Sequence, residues 1–210
     1  MHVEENDFAV DPVPGLPEAL PKNELMLWQG RPTTWGLARD ALSLYWIIGY
    51  FALLAFWRVG VSAADIGWGA ALPQAIPFVG LGLVAGGLIL LVAWVQARAT
   101  LYTITTARIA MRIGAALTLT LNLPFTKIES ADLSLKKDGS GTITLSTTGN
   151  TRLSYLVIWP HVRPWRMRKP EPALRAIPDA ARVAEILADA AETHISQPVL
   201  EAAPAPVAAE

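Results

Sequence analysis

ALSLYWIIGYFALLAFW (Ala41–Trp57) and PFVGLGLVAGGLILLVAWV (Pro77–Val95) are two runs of 17 and 19 residues without one charged side chain. A helix needs about 20 apolar residues to cross some 30 Å of hydrocarbon, and about 17 is the lower bound. The second run meets this directly. The first is short, but Arg39 and Arg58 bracket it, and their long stems can snorkel toward the headgroups. A helix packed on the surface of a soluble domain would carry a polar stripe along one face, and neither run has one. The chain is therefore expected to be an integral membrane protein built around a two-helix transmembrane hairpin at 40–97, with helices at about 41–57 and 77–95.

Charge orients the hairpin. Between Arg58 and Arg98 there is no Lys or Arg, and the connecting segment holds only Asp65. Lys22, Arg31 and Arg39 precede the first run, whereas Arg98, Arg108 and Arg112 follow the second. Positive residues collect on the cytoplasmic side, so both termini are expected in the cytoplasm. Trp57 and Trp94 stand near helix ends, where an amphipathic ring favours the headgroup layer. Residues 1–20 are acidic and Pro-rich with no apolar core, so no cleavable signal peptide is expected and insertion falls to the first helix.

Beyond Arg98 the pattern changes from continuous to alternating. LYTIT (Leu101–Thr105), RIAMRI (Arg108–Ile113), LTLTLNL (Leu117–Leu123), IESADLSL (Ile128–Leu135), TITLST (Thr142–Thr147) and RLSYLVIW (Arg152–Trp159) read as antiparallel strands. Turn signals lie at Gly114, at KKDGSG (Lys136–Gly141) and around Gly149. ELMLWQG (Glu24–Gly30) offers a further strand from before the hairpin. A helix over about 178–193 follows, with Pro178 in its first turn and Ile177, Val183, Ile186 and Leu187 on one apolar face. About six or seven strands and one helix suggest a curled sheet or partial barrel with the helix over an open end. The expected organisation is a flexible segment 1–21, a strand and lead-in 22–39, the hairpin, a cytoplasmic domain 98–194 and an Ala/Pro tail 195–210.

Composition narrows the function. Of 210 residues 52% are hydrophobic and the net charge is −1, so charge suggests no nucleic-acid partner. No cysteine is present, so disulfides, thiolate chemistry and Cys-ligated zinc are excluded. The histidines His2, His161 and His194 have no metal-ligand spacing, and no phosphate-cradling glycine motif occurs. Glu129 and Asp132 are three apart in a strand, which puts them on opposite faces rather than in a carboxylate pair. No catalytic, cofactor or metal residue is proposed.

Two features invite contact instead. WPHVRPWRMRKPEP (Trp159–Pro172) is too Pro-rich for regular structure and gathers Arg163, Trp165, Arg166, Arg168 and Lys169, a cytoplasmic surface for a partner or for anionic lipid. In the second helix Gly82 and Gly86 form a small-xxx-small pair that lets another helix approach, from the same hairpin, a partner or a second copy.

Four stretches resemble the PuhB family of photosynthetic complex assembly proteins of purple bacteria. They are Pro14–Pro32 (PGLPEALPKNELMLWQGRP), the hairpin, Tyr102–Leu133 and Tyr155–Leu187, which together span nearly the whole chain. LWQGRP and YTIT-x-x-R-I alone are similar to the wider set of bacterial PH-like membrane proteins. WPHVRPWR with RAIPDAA is the more specific combination. The resemblance implies an α+β membrane protein, its hairpin carrying a cytoplasmic PH-like antiparallel β domain closed by a C-terminal helix. It implies a non-enzymatic role in assembling the reaction centre and its light-harvesting 1 antenna in the inner (intracytoplasmic) membrane. Partners would be subunits of those complexes, other assembly factors and membrane lipids, and a homodimer fits as well. A transient bacteriochlorophyll contact finds no support, because neither membrane run offers a histidine. A general membrane-tethered PH-like module for lipid or peptide is the alternative.

Overall fold

The computed structural model describes residues 20–21, 24–114, 118–149 and 153–196. The expected flexible N-terminal segment (but for 20–21), the tail from 197, Leu117 of the third expected strand and Asn150 beside Gly149 lie outside the described residues.

A strand, β1 (Met26–Gly30), comes first, followed by helix α1 (Thr34–Asp40). Thr33 caps α1, its hydroxyl accepting from the Gly36 N–H at 3.3 Å. The long helix α2 (Leu44–Ile66) follows, then α3 (Trp68–Ala71), a 3₁₀ turn at Leu72–Ala75 and the long helix α4 (Ile76–Ala99). The first long apolar helix does not stop at Trp57. It absorbs Arg58 and Gly60 and runs on to Ile66, because no proline and no residue of positive φ intervenes before Gly67, whose φ of 77° ends it. Both long helices are long and apolar enough to cross a membrane, and only 17% and 11% of their apolar windows are buried inside the protein. Helices of a soluble core would bury far more of themselves.

The remaining chain forms β2 (Leu101–Thr105), β3 (Arg108–Ile113), β4 (Leu119–Pro124), β5 (Ile128–Leu135), β6 (Gly141–Thr147), helix α5 (Tyr155–Ile158), β7 (Ala173–Ile177) and α6 (Ala180–Ser196). The strands make two antiparallel sheets, ordered β1-β2-β3-β4 and β5-β6-β7. Their inner faces meet in one core that includes Tyr102, Ile104, Ile109, Met111, Ile143, Leu145 and Leu174. α6 completes it with Val183, Leu187 and Ala190, while Ile186 stays half exposed.

Two expectations fail here. The described part of RLSYLVIW, from Leu153 on (Arg152 lies outside the described residues), is not a strand: Tyr155–Ile158 is one turn of helix, followed by Trp159 and a cis peptide to Pro160. The seventh strand is instead Ala173–Ile177, between Pro172 and Pro178, so Ile177 belongs to the sheet and not to the helix face. Five consecutive buried residues leave that strand without the alternation that marks a half-exposed one.

The hairpin is an insertion between two paired strands. β1 runs into α1 and α2, α4 returns into β2, and β1 pairs with β2 with Gly30 opposite Tyr102. Both ends of the hairpin are thereby clamped by one ladder.

Candidate contact surface and its buried junction

The stretch from Ile158 to Leu174 is held from inside. His161 is fully buried, and its peptide N–H donates to the Ile158 carbonyl at 2.8 Å. Its Nδ1 lies 2.6 Å from the Tyr102 hydroxyl and its Nε2 lies 3.0 Å from Thr100 Oγ1. The Tyr102 hydroxyl also accepts from the Arg175 N–H at 3.3 Å. A neutral imidazole offers one donor and one acceptor. Assigning the Tyr102 O–H to Nδ1 leaves Nε2–H to donate to Thr100, and every group is satisfied. Burial holds the imidazole neutral, pushing its pKa down to about 3, with the Arg175 charge adding to the effect. Burial likewise drives the Tyr102 phenol well above its ordinary value.

Arg175 extends this cluster toward the long apolar helices. Its guanidinium donates to the carbonyls of Pro160 and Val162, each at 3.4 Å, and to that of Asp40 at 2.5 Å. Desolvation lowers the pKa of this mostly buried group. Thr100 is the C-cap of α4 and Asp40 closes α1, so the cluster joins both ends of the hairpin to β2 and β7. The Thr33 N–H donates to the Ala176 carbonyl at 2.9 Å, a second tie between α1 and β7. Gly36 permits it, since a Cβ there would stand 2.7 Å from that of Ala176. A third tie joins α1 to the β5–β6 turn. Arg39 bonds Asp138 at 3.2 Å, and Lys136 pairs with Asp40. Hydrogen bonds from Ser140, chiefly its hydroxyl, hold the Asp138 carboxyl down at about 2, with Arg39 assisting.

The expected basic cluster is present as a loop, but it is not a bare positive surface. Glu171, buried beneath it, accepts from Arg163 and from Arg166, each at 3.1 Å. Arg163 also reaches Asp132 at 3.5 Å, and Lys169 lies 3.8 Å from Glu129. Arg168 is exposed, Trp165 is 89% exposed with φ of 65°, and Met167 stands out beside them. The carboxylates change the earlier reading of Glu129 and Asp132. The β5–β6 register shifts between Ile128 and Ser130, which interrupts the period of two at Glu129, and both side chains reach the same loop. The sequence signal for this was the Glu171–Pro172 pair directly behind the basic run, close enough to fold under it.

Gly82 and Gly86 face the hairpin's own first helix. A Cβ on Gly82 would lie 3.0 Å from that of Phe51, and one on Gly86 would lie 3.9 Å from Leu44 Cδ1. Beside them an apolar cleft of about 430 Å³ opens between α2 and α4, lined by Trp35, Ile48, Val79 and Leu90 among others. Among the described residues no three His, Asp or Glu side chains gather as a metal site.

Comparison with known proteins agrees with this architecture. The pattern of the bacterial PH domain matches residues 42–191. The chain is also similar to an uncharacterized 23.7 kDa protein in the puhA 5′ region of Rhodobacter capsulatus. The two are 47% identical over 202 residues, 95% of this chain and 94% of the relative. No solved structure matches the chain.

Proposed function

The chain belongs to the bacterial PH domain family, and from that premise we propose that it is a non-enzymatic membrane scaffold for assembly of a photosynthetic core complex. The observation that carries this reading is the relative in the puhA 5′ region, matched along nearly the full length of both chains. The sequence resemblance to photosynthetic assembly proteins points the same way. The hairpin spans the inner membrane with both termini in the cytoplasm, the side on which its flanking Lys and Arg lie. Its lipid-facing surface, including the cleft beside Gly82 and Gly86, meets helices of immature reaction-centre or light-harvesting 1 subunits. The β domain, fixed to the hairpin by the Thr100–His161–Arg175 junction, presents Trp165, Arg168 and the paired Arg163, Arg166 and Lys169 to the cytoplasmic faces of those subunits or of another assembly factor. No resident cofactor is needed for this work.

The test is a pull-down of the tagged full chain from photosynthetic membranes in mild detergent, with mass spectrometry and absorption spectra of the eluate. Reaction-centre or antenna polypeptides, enriched from immature complexes, are the expected result. An eluate of lipid and unrelated proteins overturns the assembly role and favours a general PH-like module, a reading supported by the family match and the basic loop.

A further inference from the structure

The turn Tyr155–Ile158 is one helical turn in a domain whose core buries its apolar residues, yet Leu156 is 83% and Val157 is 59% exposed. Trp159 behind them is 42% exposed. Trp159 borders a depression of about 420 Å³ shared with Leu42 and with Leu88, Ile89 and Val92 of α4. The cytoplasmic boundary of α4 is marked by Trp94, over whose ring the Arg98 guanidinium lies at 4.9 Å, an aromatic and a cation paired as at a headgroup layer. Leu88, Ile89 and Val92 precede Trp94 by two to six residues, which is about 3 to 9 Å of helix axis toward the bilayer centre. Trp159 therefore stands beside α4 at a level short of Trp94, and Leu156 and Val157, three and two residues before it in the same turn, are exposed apolar side chains.

We propose that the turn Tyr155–Trp159 is an interfacial anchor, with Leu156, Val157 and Trp159 seated at the headgroup–acyl boundary of the cytoplasmic leaflet beside α4. The occupant of this patch is lipid, because the patch is continuous with a helix surface that is itself exposed and apolar at Leu88, Leu91 and Val92. Together with the buried junction, the anchor fixes the β domain against the bilayer. The proposal rests on the reading that α2 and α4 span a membrane.

The absence of cysteine from the chain makes the test direct. Three single-cysteine variants of the full chain, Val157→Cys, Leu83→Cys and Glu192→Cys, are labelled with an environment-sensitive fluorophore. Each is reconstituted alone into vesicles of phosphatidylethanolamine and phosphatidylglycerol containing a spin-labelled lipid. Leu83 is an exposed residue of α4 and reports the hairpin. Glu192 is exposed on α6 near His194, which lies against Phe125 at strand ends remote from Thr100, and reports the aqueous side. The expected result is a blue-shifted label at 157, quenched by spin-labelled lipid and protected from aqueous iodide, with the opposite behaviour at 192. A label at 157 that behaves like the one at 192, while 83 is lipid-quenched, overturns the anchor alone. Failure of lipid quenching at 83 overturns the membrane-spanning reading on which it rests. With no other protein in the vesicle, quenching at 157 cannot come from a partner's helix.

Discussion

His161 shows how much one buried side chain can decide. Its imidazole titrates near 6.5 when unfolded and near 3 when folded, so the unfolded chain binds the extra proton first. Between those values the unfolded state carries more protons, and stability rises with pH. This contribution is complete above pH 6.5 and drains away as the pH falls toward 3. The slope is about 1.4 kcal/mol per pH unit, or about 2 kcal/mol lost between pH 6.5 and pH 5. Thermal melts of the detergent-solubilised protein across that range should show the loss. In His161→Phe the slope should vanish while overall stability drops by about 1–3 kcal/mol, because Thr100 and Tyr102 lose their partner. An unchanged slope in that variant would remove His161 as its source. None of this was legible in the sequence, where His161 is one of three scattered histidines. Its partners lie 59 and 61 residues away, and only the sheet brings them together.

At the scale of elements, the long helices were the most readable part because continuous hydrophobicity needs no partner to be recognised. Their ends were less so. The first helix continues past its apolar run, since a helix ends at a breaker and not where polarity begins. The strands β2, β3, β5 and β6 lie nearly where the alternation of apolar with polar residues in LYTIT, RIAMRI, IESADLSL and TITLST places them, although β2 buries both of its faces. β7, buried throughout and bounded by prolines, gives no strand signal in the sequence, which puts Ile177 on the helix face, and the apolar turn at 155–158 reads there as a strand. The glycines of α4 divide by what faces them, and this gives a prediction. Gly82→Leu should destabilise the hairpin by about 1–3 kcal/mol, because its side chain must displace Phe51. Gly80→Leu has nothing within 4 Å of its Cβ and should be tolerated. Paired melts in the same detergent compare the two, and equal losses would mean that α2 and α4 do not pack through Gly82.

For the whole molecule, the decisive fact is that the long apolar hairpin interrupts the β domain between its first two strands. A fragment starting at Thr100 lacks β1 and α1. It leaves the edge of β2 unpaired and takes from Arg175 the Asp40 carbonyl to which it donates. Such a fragment should give no cooperative thermal transition by circular dichroism, whereas the full chain in detergent should give one. A sharp transition in the fragment would show that the β domain stands without its inserted hairpin. The expected division into a lead-in, a hairpin and a separate cytoplasmic domain thus follows the order of the chain, while the packing ties all three.

What the sequence determined by itself was everything that depends on local periodicity: the apolar spans, the alternating strands, the amphipathic last helix and the glycine face of α4. The charge asymmetry across the hairpin was equally local, as were the residues that resemble a family. Tertiary structure decided the rest, namely the buried Thr100–Tyr102–His161–Arg175 junction, the carboxylates beneath the basic loop and the level of Trp159 against α4. The physical reason is range. Hydrophobic period and turn preference act over a few neighbouring residues, whereas burial, shared protons and charge pairing depend on which distant segments the fold brings within a few ångströms.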